Sequence, residues 1–112
     1  HGYWLNRTVS VSYPGAEGAA AMAAIMERLR AEAPSEVAGL AVEGVVDYKD
    51  AGTGLPPANV VELRLADGNK AIVRPSGTEP KIKLYVFAKD DTQEGAEALL
   101  DSIEASGRKL LA

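Results

Sequence analysis

The sequence predicts an α+β domain, a mainly antiparallel sheet with two helices laid on one of its faces. Three observations carry this expectation. The chain has 112 residues, 46% of them apolar and 25% charged, which is the length and mixture of one globular core. Several short segments alternate apolar and polar residues, the period of strands with one buried face. Two longer segments instead carry apolar residues at helical spacing, and they flank the strand-rich centre rather than interleaving with it.

Residues 8–13 alternate Val9, Val11 and Tyr13 against Thr8, Ser10 and Ser12, and Pro14-Gly15 ends the run. Residues 1–7 are expected to be a linker or hinge remnant from a preceding domain, leaving 8–112 as the single domain. From Ala16 to about Ala33 the apolar set becomes Met22, Ile25, Met26 and Leu29, the stripe of an amphipathic helix stopped before Pro34. A second strand is expected over residues 41–48 and a third over 60–65, with Val61, Leu63 and Leu65 inward and Glu62 and Arg64 outward. Between them lies the turn-rich run Gly52-Thr53-Gly54-Leu55-Pro56-Pro57. Asp67-Gly68 signals a tight hairpin into a strand over about 70–74. Residues 81–88 alternate Ile82, Leu84, Val86 and Ala88 with Lys83, Tyr85 and Phe87. Ala96, Leu99, Leu100 and Ile103 then form the second helical stripe, with Thr92 and Glu94 suited to its N-terminus. The expected order is β-α-β-β-β-β-α.

Composition removes whole classes of chemistry. There is no cysteine and a single histidine, so thiolate zinc sites, disulfides, thiol nucleophiles and most triads are excluded. No run approaches about 18 apolar residues, and the start has neither the basic nor the apolar region of an export signal, so neither a spanning segment nor export is expected. The net charge of −4 argues against binding nucleic acid or an anionic membrane. The distribution of that charge is uneven. Residues 70–83 hold Lys70, Arg74, Lys81 and Lys83 against Glu79, a net of +3 that leaves −7 on the remainder.

Within this basic island, Arg74-Pro75-Ser76-Gly77-Thr78-Glu79-Pro80 joins two predicted strands. The arginine offers a planar fork of donors matched to two oxyanion oxygens. Ser76 and Thr78 add hydroxyls, Gly77 permits a positive φ that exposes backbone N–H groups, and the prolines stiffen both arms. On residues alone, the segment reads equally as an ordinary turn or as an anion receptor, with the anion unspecified.

The run Arg74-Pro75-Ser76-Gly77-Thr78-Glu79-Pro80-Lys81-Ile82-Lys83 resembles the phosphate-binding loop in the C-terminal domain of the α-D-phosphohexomutases. The resemblance continues in order through Thr8-Val9-Ser10, Met22 to Arg30, Val46-Asp47-Tyr48 and Leu55 to Val60, and is greatest to bacterial phosphoglucomutase/phosphomannomutase sequences. It implies a TATA-binding-protein-like fold with no DNA role. In that family four domains surround a cleft, and a phosphoryl group moves between C1 and C6 of a hexose through a bisphosphorylated sugar. The phosphoserine, the magnesium-holding Asp loop and the sugar-reading loop lie in other domains. This chain has no Asp-x-Asp-x-Asp run and no Ser-His-Asn-Pro, so it is expected to hold no catalytic residue, to bind no cofactor itself, and to be inactive alone, with Mg2+ belonging to the parent enzyme.

By resemblance, Arg74, Ser76, Gly77 and Thr78 bind the phosphate that is not transferred. Glu79 braces the loop, and Lys83 is either an accessory ligand or a solvated lysine. Tyr3 and Trp4 are read either as anchors for other domains or as an arm packed on this one. The implied partners are a phosphosugar and the other domains of a cytoplasmic parent chain. Three alternatives stand beside this: a free-standing phosphate-ligand binding or regulatory module, a phosphoglucosamine mutase fragment, and a nucleic-acid-binding domain. The last is disfavoured by the charge and by the lack of an aromatic stacking run.

Overall fold

The computed structural model describes residues 2–49, 58–76 and 79–111. Their elements run β1 (Tyr3–Ser12), α1 (Gly18–Ala31), β2 (Glu36–Val37), β3 (Leu40–Asp47), β4 (Val61–Leu65), β5 (Lys70–Pro75), β6 (Lys81–Asp90) and α2 (Gln93–Leu110). The six strands form one antiparallel sheet in the order β1-β6-β5-β4-β3-β2. This is the predicted α+β architecture, with the two-residue strand β2 added at one edge. The run Gly52 to Pro57 lies outside the described residues.

Strand β1 begins ahead of the boundary expected at residue 8. Residues 3–7 are not a separate linker: they continue the strand and pair with β6, from Tyr3 opposite Asp90 to Arg7 opposite Val86. The alternation is weak there because Arg7 occupies an inward position. Its guanidinium reaches α2, donating to Asp101 Oδ1 at 2.8 Å and Glu104 Oε1 at 2.7 Å.

One core lies between the sheet and the helices. On its sheet side Val61, Leu63, Ile82, Leu84, Val86 and Ala88 have no exposed surface, and Met22, Ile25, Met26 and Leu29 of α1 with Leu100 and Ile103 of α2 close it from above. Burial of each such aliphatic side chain contributes roughly 1.5–3 kcal/mol. Both helices therefore cover the same face. Their ends are tied as well: Arg28 Nη2 donates to the Leu110 carbonyl at 2.7 Å, and the Tyr13 hydroxyl donates to the carbonyl of Leu111.

Local chemistry sets the connections. Asp67 and Gly68 both have positive φ, 62° and 82°, as a tight hairpin of the right twist requires. The next residue, Asn69, is buried. Its amide donates to the Ala66 carbonyl at 2.9 Å and its side-chain oxygen accepts from the Lys89 backbone at 2.8 Å, so one side chain joins the β4–β5 turn to β6. At α2, Thr92 Oγ1 accepts from the Gly95 N–H at 3.0 Å, the expected cap. Glu62 departs from expectation. Although it faces away from the core, it is buried, because Arg64 Nε donates to it at 2.7 Å and the Tyr48 hydroxyl at 3.3 Å.

Two outcomes follow for stability. A Cβ at Gly18 would sit 1.8 Å from the Tyr13 carbonyl oxygen, so the start of α1 must shift to accept one. Gly18→Ala is expected to destabilise the chain by about 1–3 kcal/mol despite alanine's better helix propensity, lowering Tm by several degrees in a calorimetric scan. Glu104 accepts from Arg7 and from Arg108 Nε, the latter at 2.9 Å. These hydrogen bonds hold its carboxyl below its ordinary range despite a small opposing desolvation. Because the folded-state value is depressed, the stabilisation is present above the unfolded pKa and is lost as pH falls through the folded one. Urea titrations from pH 6 to pH 3 should show Glu104→Gln less stable than the parent at the upper end, and the two curves converging at the lower end.

Candidate functional site

Register determines what the uncovered face of the sheet displays. Opposite the core, β5 presents Lys70, Ile72 and Arg74, β6 presents Lys81, Lys83, Tyr85, Phe87 and Lys89, and β1 presents Trp4, Asn6, Thr8, Ser10 and Ser12. Arg74, Lys83 and Ser10 are Cα partners in one row across three strands. This row lies at the end of the sheet where β5 leaves for the loop and β6 returns from it.

Arg74 and Lys83 are both exposed, and directly opposed residues on one face have Cβ atoms only about 4.5–5.5 Å apart. Among the described residues neither has a carboxylate partner. Two like charges held side by side repel each other, and an anion between them relieves that repulsion.

The described part of the loop is braced from within. The Ser76 N–H donates to the Lys81 carbonyl at 2.8 Å, and the Lys81 N–H to the Glu79 carbonyl at 2.8 Å. The Glu79 N–H donates to Ser76 Oγ at 3.3 Å, and the Glu79 carboxylate pairs with Lys81 Nζ at 3.1 Å. The Tyr13 N–H, donating to the Pro80 carbonyl at 2.7 Å, anchors the loop to the end of β1. Gly77 and Thr78 lie outside the described residues. On the helix side of the loop a cleft of about 510 Å3 is floored by Met22 and Met26 of α1 and rimmed by Asn59, Ser76 and Glu79. Asn59 is held there by Arg30 Nη2, which donates to its side-chain oxygen at 2.6 Å while Nε donates to Asp47 Oδ1 at 3.0 Å.

The candidate residues thus divide. Arg74 and Lys83 share the uncovered face, Ser76 and Glu79 occupy the loop's inner edge, and Ser10 completes the row from a strand distant in sequence. Alternation alone places Ser10 on a polar face. Only the β1–β6 register sets it beside Lys83. Tyr3 and Trp4 lie on this domain as the first residues of β1, opposite Asp90 and Lys89 of β6, and both side chains stay exposed, at 50% and 63%. Trp4 lies beneath Lys89, whose Nζ is 4.9 Å from the ring centroid. Among the described residues no group of three or more His, Asp or Glu side chains could hold a metal ion, and no helix is long and apolar enough to cross a membrane.

This combination is an α+β domain, an antiparallel sheet backed by two helices, with a braced loop beside two opposed cations. Residues 16–105 match the family described as phosphoglucomutase/phosphomannomutase, C-terminal domain, and the chain belongs to that family. It is similar to the phosphoglucomutase of Staphylococcus haemolyticus, with 35% identity over 83% of this chain and 19% of that protein. It is also similar to those of Staphylococcus epidermidis, at 36% over 80% of this chain and 18% of that protein, and Staphylococcus aureus, at 38% over 79% and 18%. The chain therefore spans about a fifth of the length of the curated relatives it matches.

The opposed cations give a direct test without any ligand. Lys83→Glu turns the repelling pair into an attracting one, so the phosphate-free chain is expected to gain a few tenths of a kcal/mol, discounted for exposure, with the gain fading as salt rises. Denaturant midpoints at low and high salt measure it.

Proposed function

We propose that this chain is the phosphate-receiving C-terminal domain of a phosphohexomutase, a phosphoglucomutase or phosphomannomutase, and that its 74–80 loop binds the phosphate that is not being transferred. Arg74 supplies the two-pronged charge-assisted contact, Ser76 and Thr78 hydroxyls, and Gly77 a backbone N–H. Lys83 adds charge from the neighbouring strand, and Glu79 holds the loop's shape through Lys81. The observation that carries the reading is the pair Arg74 and Lys83, held side by side on the sheet face opposite the helices with no carboxylate partner among the described residues.

On this reading the parent enzyme interconverts hexose 1-phosphates and 6-phosphates in the cytoplasm, and the phosphoryl-carrying serine and the magnesium ligands belong to its other domains. A remote phosphate held here fixes the sugar against the reacting centre, so binding energy away from the reacting bond is spent on orientation. Both ends of the sugar present a phosphate in turn, which suits a receptor that reads the oxyanion and ignores the ring. Alone, the domain supplies only one wall of the cleft, and its half-site is open to salt and water.

Titration of the isotope-labelled chain with inorganic phosphate, followed by amide NMR, should show saturable shifts greatest at Ser76, Gly77 and Thr78, with Kd near or above about 1 mM. Arg74→Lys should weaken binding about tenfold or more while leaving Tm within a few degrees, because lysine keeps the charge and loses the fork. Shifts confined to residues outside the loop, or undiminished binding by Arg74→Lys, would overturn the assignment.

A further inference from the structure

The uncovered sheet face holds more positive charge than a phosphate loop uses. Arg64, Lys70, Arg74, Lys81, Lys83 and Lys89 all project from it, half of the chain's 12 basic residues. On the side of β4, β5 and β6 that these cations occupy, Glu62 is the carboxylate among the described residues, and it is buried under Arg64 and Tyr48. Between the cations runs an apolar band of half-buried Val46, Ile72, Tyr85 and Phe87, leading to exposed Trp4. Lys70 Nζ lies 4.9 Å from the Phe87 centroid and Lys89 Nζ 4.9 Å from that of Trp4. Lys70 and Lys89 thus rest on rings rather than on carboxylates. Lys70 is four residues from Arg74 along β5, or about 13 Å, well outside the loop.

We propose that the Trp4, Lys70, Phe87 and Lys89 end of this face docks an acidic protein surface carried by the polypeptide that precedes Tyr3 in the full-length protein. The inference rests on reading the chain as one domain of a longer mutase, and it does not depend on the phosphate role of the loop. An acidic surface with an apolar centre complements the face in both charge and hydrophobicity. The occupant's source follows from position. Trp4 belongs to the first strand, at the end where the preceding polypeptide joins, and the relatives are about five times longer than the chain. A second copy seated face to face would set these cations against their own images. Nucleic acid fits less well, because Lys70 and Lys89 cover the rings that would stack bases and the chain is −4 overall.

Acetic anhydride footprinting read by mass spectrometry tests this on the full-length protein and the 112-residue chain side by side. Lys70 and Lys89 are expected to react several-fold more slowly in the full-length protein, whereas exposed Lys49 and Lys109 keep their rates. Carbodiimide should link Lys70 or Lys89 to carboxylates N-terminal to Tyr3, independently of protein concentration. Equal rates for Lys70 and Lys89 in both proteins would overturn the proposal. So would cross-links that form only between molecules, or protection of these lysines by added single-stranded DNA in place of protection by the preceding polypeptide. The loop's phosphate role is read separately by the NMR shifts at Ser76 to Thr78, so either idea can fail while the other stands.

Discussion

The alternation of β6 is the constraint on which the remaining structure depends. It pairs with β1 on one side and β5 on the other, and α2 crosses it so closely that a Cβ at Gly107 would meet the Leu84 side chain at 2.6 Å. A slip of one residue would send Lys83, Tyr85 and Phe87 into the core and Ile82, Leu84 and Val86 into water, a penalty of many kcal/mol. Register is therefore strongly specified by burial. The same alternation that fills the core turns Lys83 outward beside Arg74, so the geometry of the candidate receptor is a by-product of packing rather than a separately built device.

That dependence explains which parts were legible in the sequence. Strands β4 to β6 and both helices could be read because their periods are clean and their turns carry direct signals, Asp67-Gly68 above all, whereas β3 shifts register against β4 between Val42 and Gly44, which no alternation marks. The early start of β1 could not, because Arg7 interrupts the inward set and its justification lies across space in Asp101 and Glu104. Strand β2 is two residues long and has no period to detect. Glu62 reads as an exposed strand residue, and its burial depends on Arg64 and Tyr48 closing over it. For the site, residue types and loop position pointed to Arg74 and Ser76 directly. The placement of Ser10 beside Lys83 required the pairing of two segments more than seventy residues apart, which no local pattern encodes.

The two faces of the molecule are electrostatically unlike. Cations gather on the uncovered sheet, while α2 carries Glu94, Glu97, Asp101 and Glu104 on the covered side. A net charge of −4 is thus the sum of two opposed surfaces and describes neither. An anionic ligand approaching the sheet experiences an attractive local field within a Debye length, about 8 Å at physiological salt, even though the whole chain repels it.

The pairing of β1 with β6 has a consequence for how the chain is made. Strand β1 is made ahead of the other elements of this domain, and among the described residues it pairs with β6, the penultimate element, so its backbone donors and acceptors stay unpaired until nearly the whole domain has been synthesised. The β4–β5 hairpin, by contrast, closes locally, and Asn69 is ready to fasten it to β6 as soon as that strand arrives. Folding that must wait for a non-local strand is slow and leaves an open edge exposed to neighbouring nascent chains. The polar side chains Asn6, Thr8, Ser10 and Ser12 along one face of β1 then serve a second purpose: they keep the waiting strand soluble until its partner exists.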